Sequence, residues 1–158
     1  MKKFSLIDLP HDLKRYETWR SQWKDPNSVG LGEYISDSCH PEDLLICIQQ
    51  LLIPDFIIVD DCVLLYDRYE KNNFLQWKDK LSGENTLIEK VLNHIHIYDL
   101  FGSNADDVSD SIFRQVCKAM KCSWKMALKE TFPEKVFIVE SFDDDVGYGP
   151  SLTFYQGS

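Results

Sequence analysis

Along residues 104–133 an apolar side chain returns every four positions: Val108, Ile112, Val116, Met120, Trp124 and Leu128, with Phe113, Ala119 and Ala127 beside them. At about 100° per residue these positions fall on one broad arc, the mark of a helix packed against a core. Arg114, Lys118, Lys121, Lys125 and Lys129 fall on the opposite side as a narrow basic stripe. Asn104 suits an N-cap, Asp106 and Asp107 suit the positive end of a helix dipole, and Phe132 with Pro133 stops the run. The pattern predicts one long amphipathic helix over residues 104–132.

The same period predicts the helices before it. Pro10 opens one that runs to about Lys24, with Leu13, Tyr16, Trp19 and Trp23 on a face expected to join the core. Residues 25–32 form a turn-rich connection, and a short helix follows around residues 33–37. Pro41 takes the first position of another helix, with Glu42 and Asp43 in its first turn. From Leu44 to Ile53 apolar residues then cover almost every side, which predicts a helix buried all round until Pro54 ends it. Residues 70–81 carry Phe74, Trp77 and Leu81, and residues 85–100 carry Leu87, Ile88, Val91, Leu92, Ile95 and Tyr98; both read as helices, joined at Ser82 and Gly83.

Elsewhere the pattern is that of strands. Residues 56–59 and 62–66 are β-branched and apolar, separated by Asp60 and Asp61, which form either a two-residue hairpin turn or a kink in one strand. Phe4 to Ile7 reads as a short strand or a tucked extended arm. After Pro133 the period falls to two, through residues 135–141 and 151–156, around a loop from Asp143 to Pro150. Together they predict a β-hairpin with a long acidic tip. The expected fold is α+β: a single compact domain over residues 1–158, about five to six helices on a small, mainly antiparallel sheet, closed by the C-terminal hairpin.

Composition fits that picture. Of 158 residues, 44% are hydrophobic and 13% aromatic, with four Trp, seven Tyr and nine Phe, enough for a true core. The net charge is −9, and residues 1–55, 56–101 and 102–158 each carry −3. An acidic chain is repelled by phosphate backbones and anionic membranes, so nucleic acid and membrane are disfavoured as partners and a basic protein is favoured. Cys39, Cys47, Cys62, Cys117 and Cys122 form no C-x-x-C pair and are expected as reduced, mostly buried thiols. Asp8 and Pro10 interrupt any signal-peptide core, and no stretch reaches the ~20 apolar residues of a membrane span. A cytoplasmic location is the expectation.

Candidate chemistry is sparse. His94, His96 and Asp99 crowd together, but on a helix the two histidines point about 200° apart and cannot share an ion. His11 and His40 complete no ligand set. A small metal-dependent hydrolase using His94, His96 and Asp99 is therefore the alternative rather than the leading reading, and no cofactor is implied. Cys39 beside His40 is not a working pair by adjacency alone. No nucleophile elbow, P-loop or dinucleotide fingerprint occurs. Asp143, Asp144 and Asp145 lack the spacing of a calcium loop, yet beside Tyr148 they suit contact with a basic surface, and Asp60 and Asp61 add to them if both loops share one end.

These features favour a small acidic binding protein that neutralises a basic partner by covering it, most like an immunity protein of a bacterial toxin domain in general character. Asp143, Asp144, Asp145, Tyr148, Asp60 and Asp61 are its expected contacts. An adaptor role through the basic stripe of the long helix is a further alternative.

Overall fold

A computed structural model describes residues 1–143 and 147–157 of the chain. It is an α+β fold. Its described residues form α1 (Lys14–Ser21), α2 (Leu31–Ser38), α3 (Pro41–Cys47), α4 (Lys71–Lys80), α5 (Asn85–Leu92) and α6 (Asp110–Thr131). The strands are β1 (Phe56–Val59), β2 (Cys62–Leu65), β3 (Ile95–His96), β4 (Phe137–Phe142) and β5 (Ser151–Gln156). β1 and β2 form one antiparallel pair, and a second antiparallel sheet has the order β3-β5-β4.

The predicted C-terminal hairpin is present, with Phe137 opposite Gln156 and Phe142 opposite Ser151. The long helix is present too, but it begins at Asp110 with Ser109 as N-cap. Residues Gly102–Ala105 form a 3-10 turn, and Asp107 takes a left-handed backbone at φ 61°, which a continuous helix cannot contain. Asp106 and Asp107 therefore precede the helix instead of occupying its first turn. α6 buries Phe113, Cys117, Met120, Trp124 and Leu128 against Val139, Leu152 and Phe154 of the hairpin.

Asp60 and Asp61 form a true two-residue turn, with φ 48° and 67°, the double left-handed conformation of a type I′ hairpin. Tertiary bonds replace the glycine that such turns favour. The Asp60 carboxylate meets Lys78 Nζ at 2.6 Å, Asn85 Nδ2 donates to the Asp60 carbonyl at 3.2 Å, and Gln156 Nε2 donates to the Asp61 carbonyl at 2.8 Å.

β2 is buried along its length and separates two apolar clusters. Val63 and Leu65 face the α6 core, while Cys62 and Leu64 face Phe74 of α4 and Ile88 of α5. Between β2 and β5 the join is made by side chains of α5. Glu89, fully buried, accepts from Val63 N–H at 2.7 Å and from Gln156 N–H at 2.6 Å. Asn93, also fully buried, accepts from Leu65 N–H at 3.0 Å and donates to the carbonyls of Val63 at 2.9 Å and Phe154 at 3.1 Å. These two residues, one helical turn apart, satisfy backbone groups that a neighbouring strand would otherwise pair. α5 is thus rotated from the face its apolar positions predict: Leu87 and Val91 are exposed, and Glu89 is buried instead. It also stops at Leu92, so residues 95–100 leave the helix for β3 and a 3-10 turn.

The N-terminal third departs furthest from expectation. No residue before Pro54 is buried. The first helix covers Lys14–Ser21 rather than residues 10–24, and its aromatic face packs on α2: Trp19 stacks edge-on to Tyr34 at 5.3 Å, and its Nε1 donates to Asp37 at 2.7 Å. Phe4 to Ile7 forms neither strand nor packed arm and is largely exposed; Asp8 N–H reaches Gln115 Oε1 on α6 at 3.0 Å.

All five cysteines are free, and only Cys62 and Cys117 are buried. Burial, the largest cause in each case, pushes both thiols up to about 11. A thiol-specific reagent at pH 8 is expected to label Cys39, Cys47 and Cys122 quickly and the other two only after unfolding. Rapid labelling of all five in the native protein would contradict this packing.

Candidate functional site

The segment that carries the site begins with α3. His40 caps it through Nδ1, which accepts from Glu42 N–H at 3.3 Å, and Pro41 fills its first turn. Every residue of α3 is exposed, including Leu44 at 53%, Leu45 at 65% and Ile46 at 60%. The prediction of a helix buried all round fails here because no part of the described chain covers it. A π-helical turn, Ile48–Leu52, follows, with Ile53 N–H reaching back to the Ile48 carbonyl at 2.8 Å. Trp124 Nε1 donates to the Leu51 carbonyl at 2.9 Å, which fastens this turn to α6 while α3 projects beyond it.

At the foot of α3 lies a cavity of about 340 Å³. Trp124 and Met120 of α6, Ile95 of β3 and Leu65 of β2 form its apolar floor, and Asp55, Asp67, Arg68 and Asp99 stand on its rim. Asp55 Oδ2 accepts from Gln49 Nε2 at 3.1 Å, and Asp99 Oδ1 accepts from the Tyr148 hydroxyl at 2.8 Å. Asp99 also borders a wider, more open hollow of about 560 Å³ together with Tyr98, Phe113 and Tyr148.

Tyr148 links the two groups of residues singled out in the sequence. His96 stands edge-on to its ring at 5.0 Å, and His94 meets His96 at 4.8 Å. The helical spacing that set the histidines apart does not apply, because the helix has already ended. His94, His96, Asp99 and Tyr148 therefore form one cluster. Its bond to Asp99 raises the Tyr148 phenol above its ordinary value. Among the described residues no group of three or more His, Cys, Asp or Glu side chains is placed to hold a metal ion.

Among the described acidic contacts, Asp60 and Asp61 lie apart from Asp143. Asp143 is exposed just beyond β4, while Asp144 and Asp145 lie outside the described residues. Asp60 and Asp61 sit beside Gln156, at the far end of β5 from the loop that precedes Ser151. The strand between them spans about 17 Å. Asp60 is also paired with Lys78. On the basic stripe, Arg114, Lys118, Lys125 and Lys129 are exposed and Lys121 donates to Ser141 Oγ at 3.0 Å.

One signal in the sequence is hidden when the chain is divided into three segments of equal net charge. Residues 25–67 contain nine acidic residues and no lysine or arginine, so this stretch alone accounts for the net charge of −9. The other 17 acidic residues are balanced by all 17 basic ones. The exposed α3 and two of the three rim aspartates, Asp55 and Asp67, belong to this one-signed stretch. No helix among the described residues is long and apolar enough to cross a membrane. The chain matches no known family model, no curated protein and no solved structure.

Proposed function

We propose that this chain is a binding protein that docks on a basic partner protein and covers it, with α3 as the element that enters a groove of the partner. The carrying observation is the exposure of α3 on every side. A helix apolar all round gains stability only when something encloses it, and a contiguous exposed apolar surface marks an interaction site. Docking of a short helix into an apolar groove is a common mode of recognition. The stretch without a single basic residue sets the sign of the partner: a groove rimmed by lysine and arginine complements it, whereas an anionic membrane is repelled. Neutralisation of a toxin domain, in the manner of an immunity protein, is the concrete form of this reading.

The test is a paired substitution, Leu45→Glu with Ile46→Glu. Both positions are exposed, so the melting temperature is expected to stay within a few degrees of the parent. A basic partner captured by the parent chain, in a complex weakened by salt, is expected to lose affinity by about tenfold or more. Capture of the same partner equally well by the variant would remove α3 from the interface and overturn the proposal.

The contact of His94 with His96 keeps the hydrolytic alternative in view. Stoichiometric metal in the purified protein, lost on His96→Ala, is the result that would favour it.

A further inference from the structure

We infer that the cavity at the foot of α3 is a socket for one basic side chain, arginine or lysine, of the partner that docks there. This rests on the reading of α3 as the docking element and adds the chemistry of a second, adjacent contact. The π-helical turn that ends α3 is itself part of the cavity wall, through Leu51. A partner gripping α3 therefore sits next to the cavity.

The socket has the two halves that a long cationic side chain requires. Its floor is core: Trp124 and Met120 are 1% exposed and Ile95 is 3% exposed. That floor suits a chain of methylenes, and Trp124 is held in it by the bond from its Nε1 to the Leu51 carbonyl. The rim sets three carboxylates, Asp55, Asp67 and Asp99, against one cation, Arg68. Asp55 and Asp99 are each oriented by a donor on one oxygen and retain the other for an incoming N–H. Asp67 and Arg68 form no ion pair or side-chain hydrogen bond with each other or with another described residue. A cavity of about 340 Å³ lies at the small end of ligand sites and has room for one long side chain with water around it. An anion would face three carboxylates, and a neutral polar group would leave them unpaired on desolvation.

Arg68 gives the inference its sharpest consequence. As the only cation among the described residues that line the cavity, it competes with the incoming one, so its removal should strengthen binding.

The experiment titrates N-acetyl-arginine methylamide into the full chain and follows the indole Nε1–H of Trp124 and the methyl of Met120 by NMR. Saturable shifts at both reporters are expected. Asp55→Asn with Asp67→Asn, both on the exposed rim, should weaken the binding about tenfold, and Arg68→Gln should strengthen it severalfold. The isosteric capped citrulline, which is neutral, should give no saturable shift. Equal responses to arginine and citrulline, no response to either, or weaker binding in Arg68→Gln would each overturn the socket. Spermidine binding more than about a hundredfold tighter than the capped arginine would assign the cavity to a free polyamine and overturn the partner side chain. Failure of the socket leaves the Leu45→Glu, Ile46→Glu result untouched, and failure of α3 docking leaves the arginine titration untouched, so the two readings fall separately.

Discussion

Asn93→Ala is expected to lower the unfolding free energy by about 4 kcal/mol, and the melting temperature by on the order of 10 °C. The reason is the number of groups that one side chain serves. Leu65 N–H and the carbonyls of Val63 and Phe154 all bond to Asn93, which is completely buried. Alanine leaves three backbone groups without partners in a space that water does not reach, and each such group costs about 1–3 kcal/mol. Asn93→Asp separates this account from simple loss of volume. Aspartate keeps an acceptor for Leu65 N–H but sets a carboxylate against two carbonyl oxygens. Its charged form is disfavoured in the folded state, so its folded pKa is raised above the unfolded value. The folded protein then takes up a proton that the unfolded chain lacks, and stability falls as pH rises through that window. The penalty of Asn93→Asp relative to the parent should therefore shrink as the pH is lowered from 7 towards 4, whereas that of Asn93→Ala should not. Thermal melts across that range decide it. Equal pH profiles for the two variants would show that the bonds from Asn93 to the two carbonyls contribute little.

That stitching by Glu89 and Asn93 also shows where sequence patterns stop being informative. Periodicity reports that a face is apolar, and it placed α4, α6 and the β4–β5 hairpin because those elements bury apolar side chains in the regular way. It does not announce a buried glutamate, since Glu89 on a helix ordinarily marks the solvent side. α5 was consequently legible as a helix but not in its rotation. α3 is the complementary case. Its sequence, from Leu44 to Cys47, predicts enclosure, and the fold provides none; an apolar pattern states the need for a covering surface without stating which chain supplies it. The Asp60-Asp61 turn was ambiguous because the bonds that hold it come from Lys78, Asn85 and Gln156, all distant in sequence. The cluster of His94, His96, Asp99 and Tyr148 depended on a helix end. Asn93 is the last residue in register with α5, and once the chain leaves the helix, histidines two apart come to face one another. The acidic stretch of residues 25–67 was fully present in the sequence and needed only to be counted without fixed boundaries.

Gly149→Ala is expected to destabilise the protein by about 3 kcal/mol and to dismantle the cluster around Tyr148 at the same time. Two independent effects meet at this position. The backbone stands at φ 76°, a conformation that L residues adopt at a cost of about 1–2 kcal/mol. A Cβ placed there would also lie 2.5 Å from Cε2 and 2.7 Å from Cζ of Tyr98. Tyr98 cannot simply retreat, because its ring packs on Phe113 at 4.4 Å and its hydroxyl donates to Asp110 at the start of α6. The loop must move instead, and it carries Tyr148 with it. A double-mutant cycle with Tyr98→Ala separates the two effects: in that background the clash is gone, and Gly149→Ala should cost only the backbone term of about 1–2 kcal/mol. Displacement of Tyr148 has its own readout. The bond to Asp99 raises the Tyr148 phenol above its ordinary value, so a Tyr148 that has lost this bond should ionise at lower pH than in the parent, as followed by NMR titration of its ring. Asp99 would at the same time lose the donor that orients it on the rim of the cavity. If the Tyr148 titration is unchanged in Gly149→Ala, the close approach of Gly149 to Tyr98 does not position Tyr148, and Asp99 takes its orientation from elsewhere.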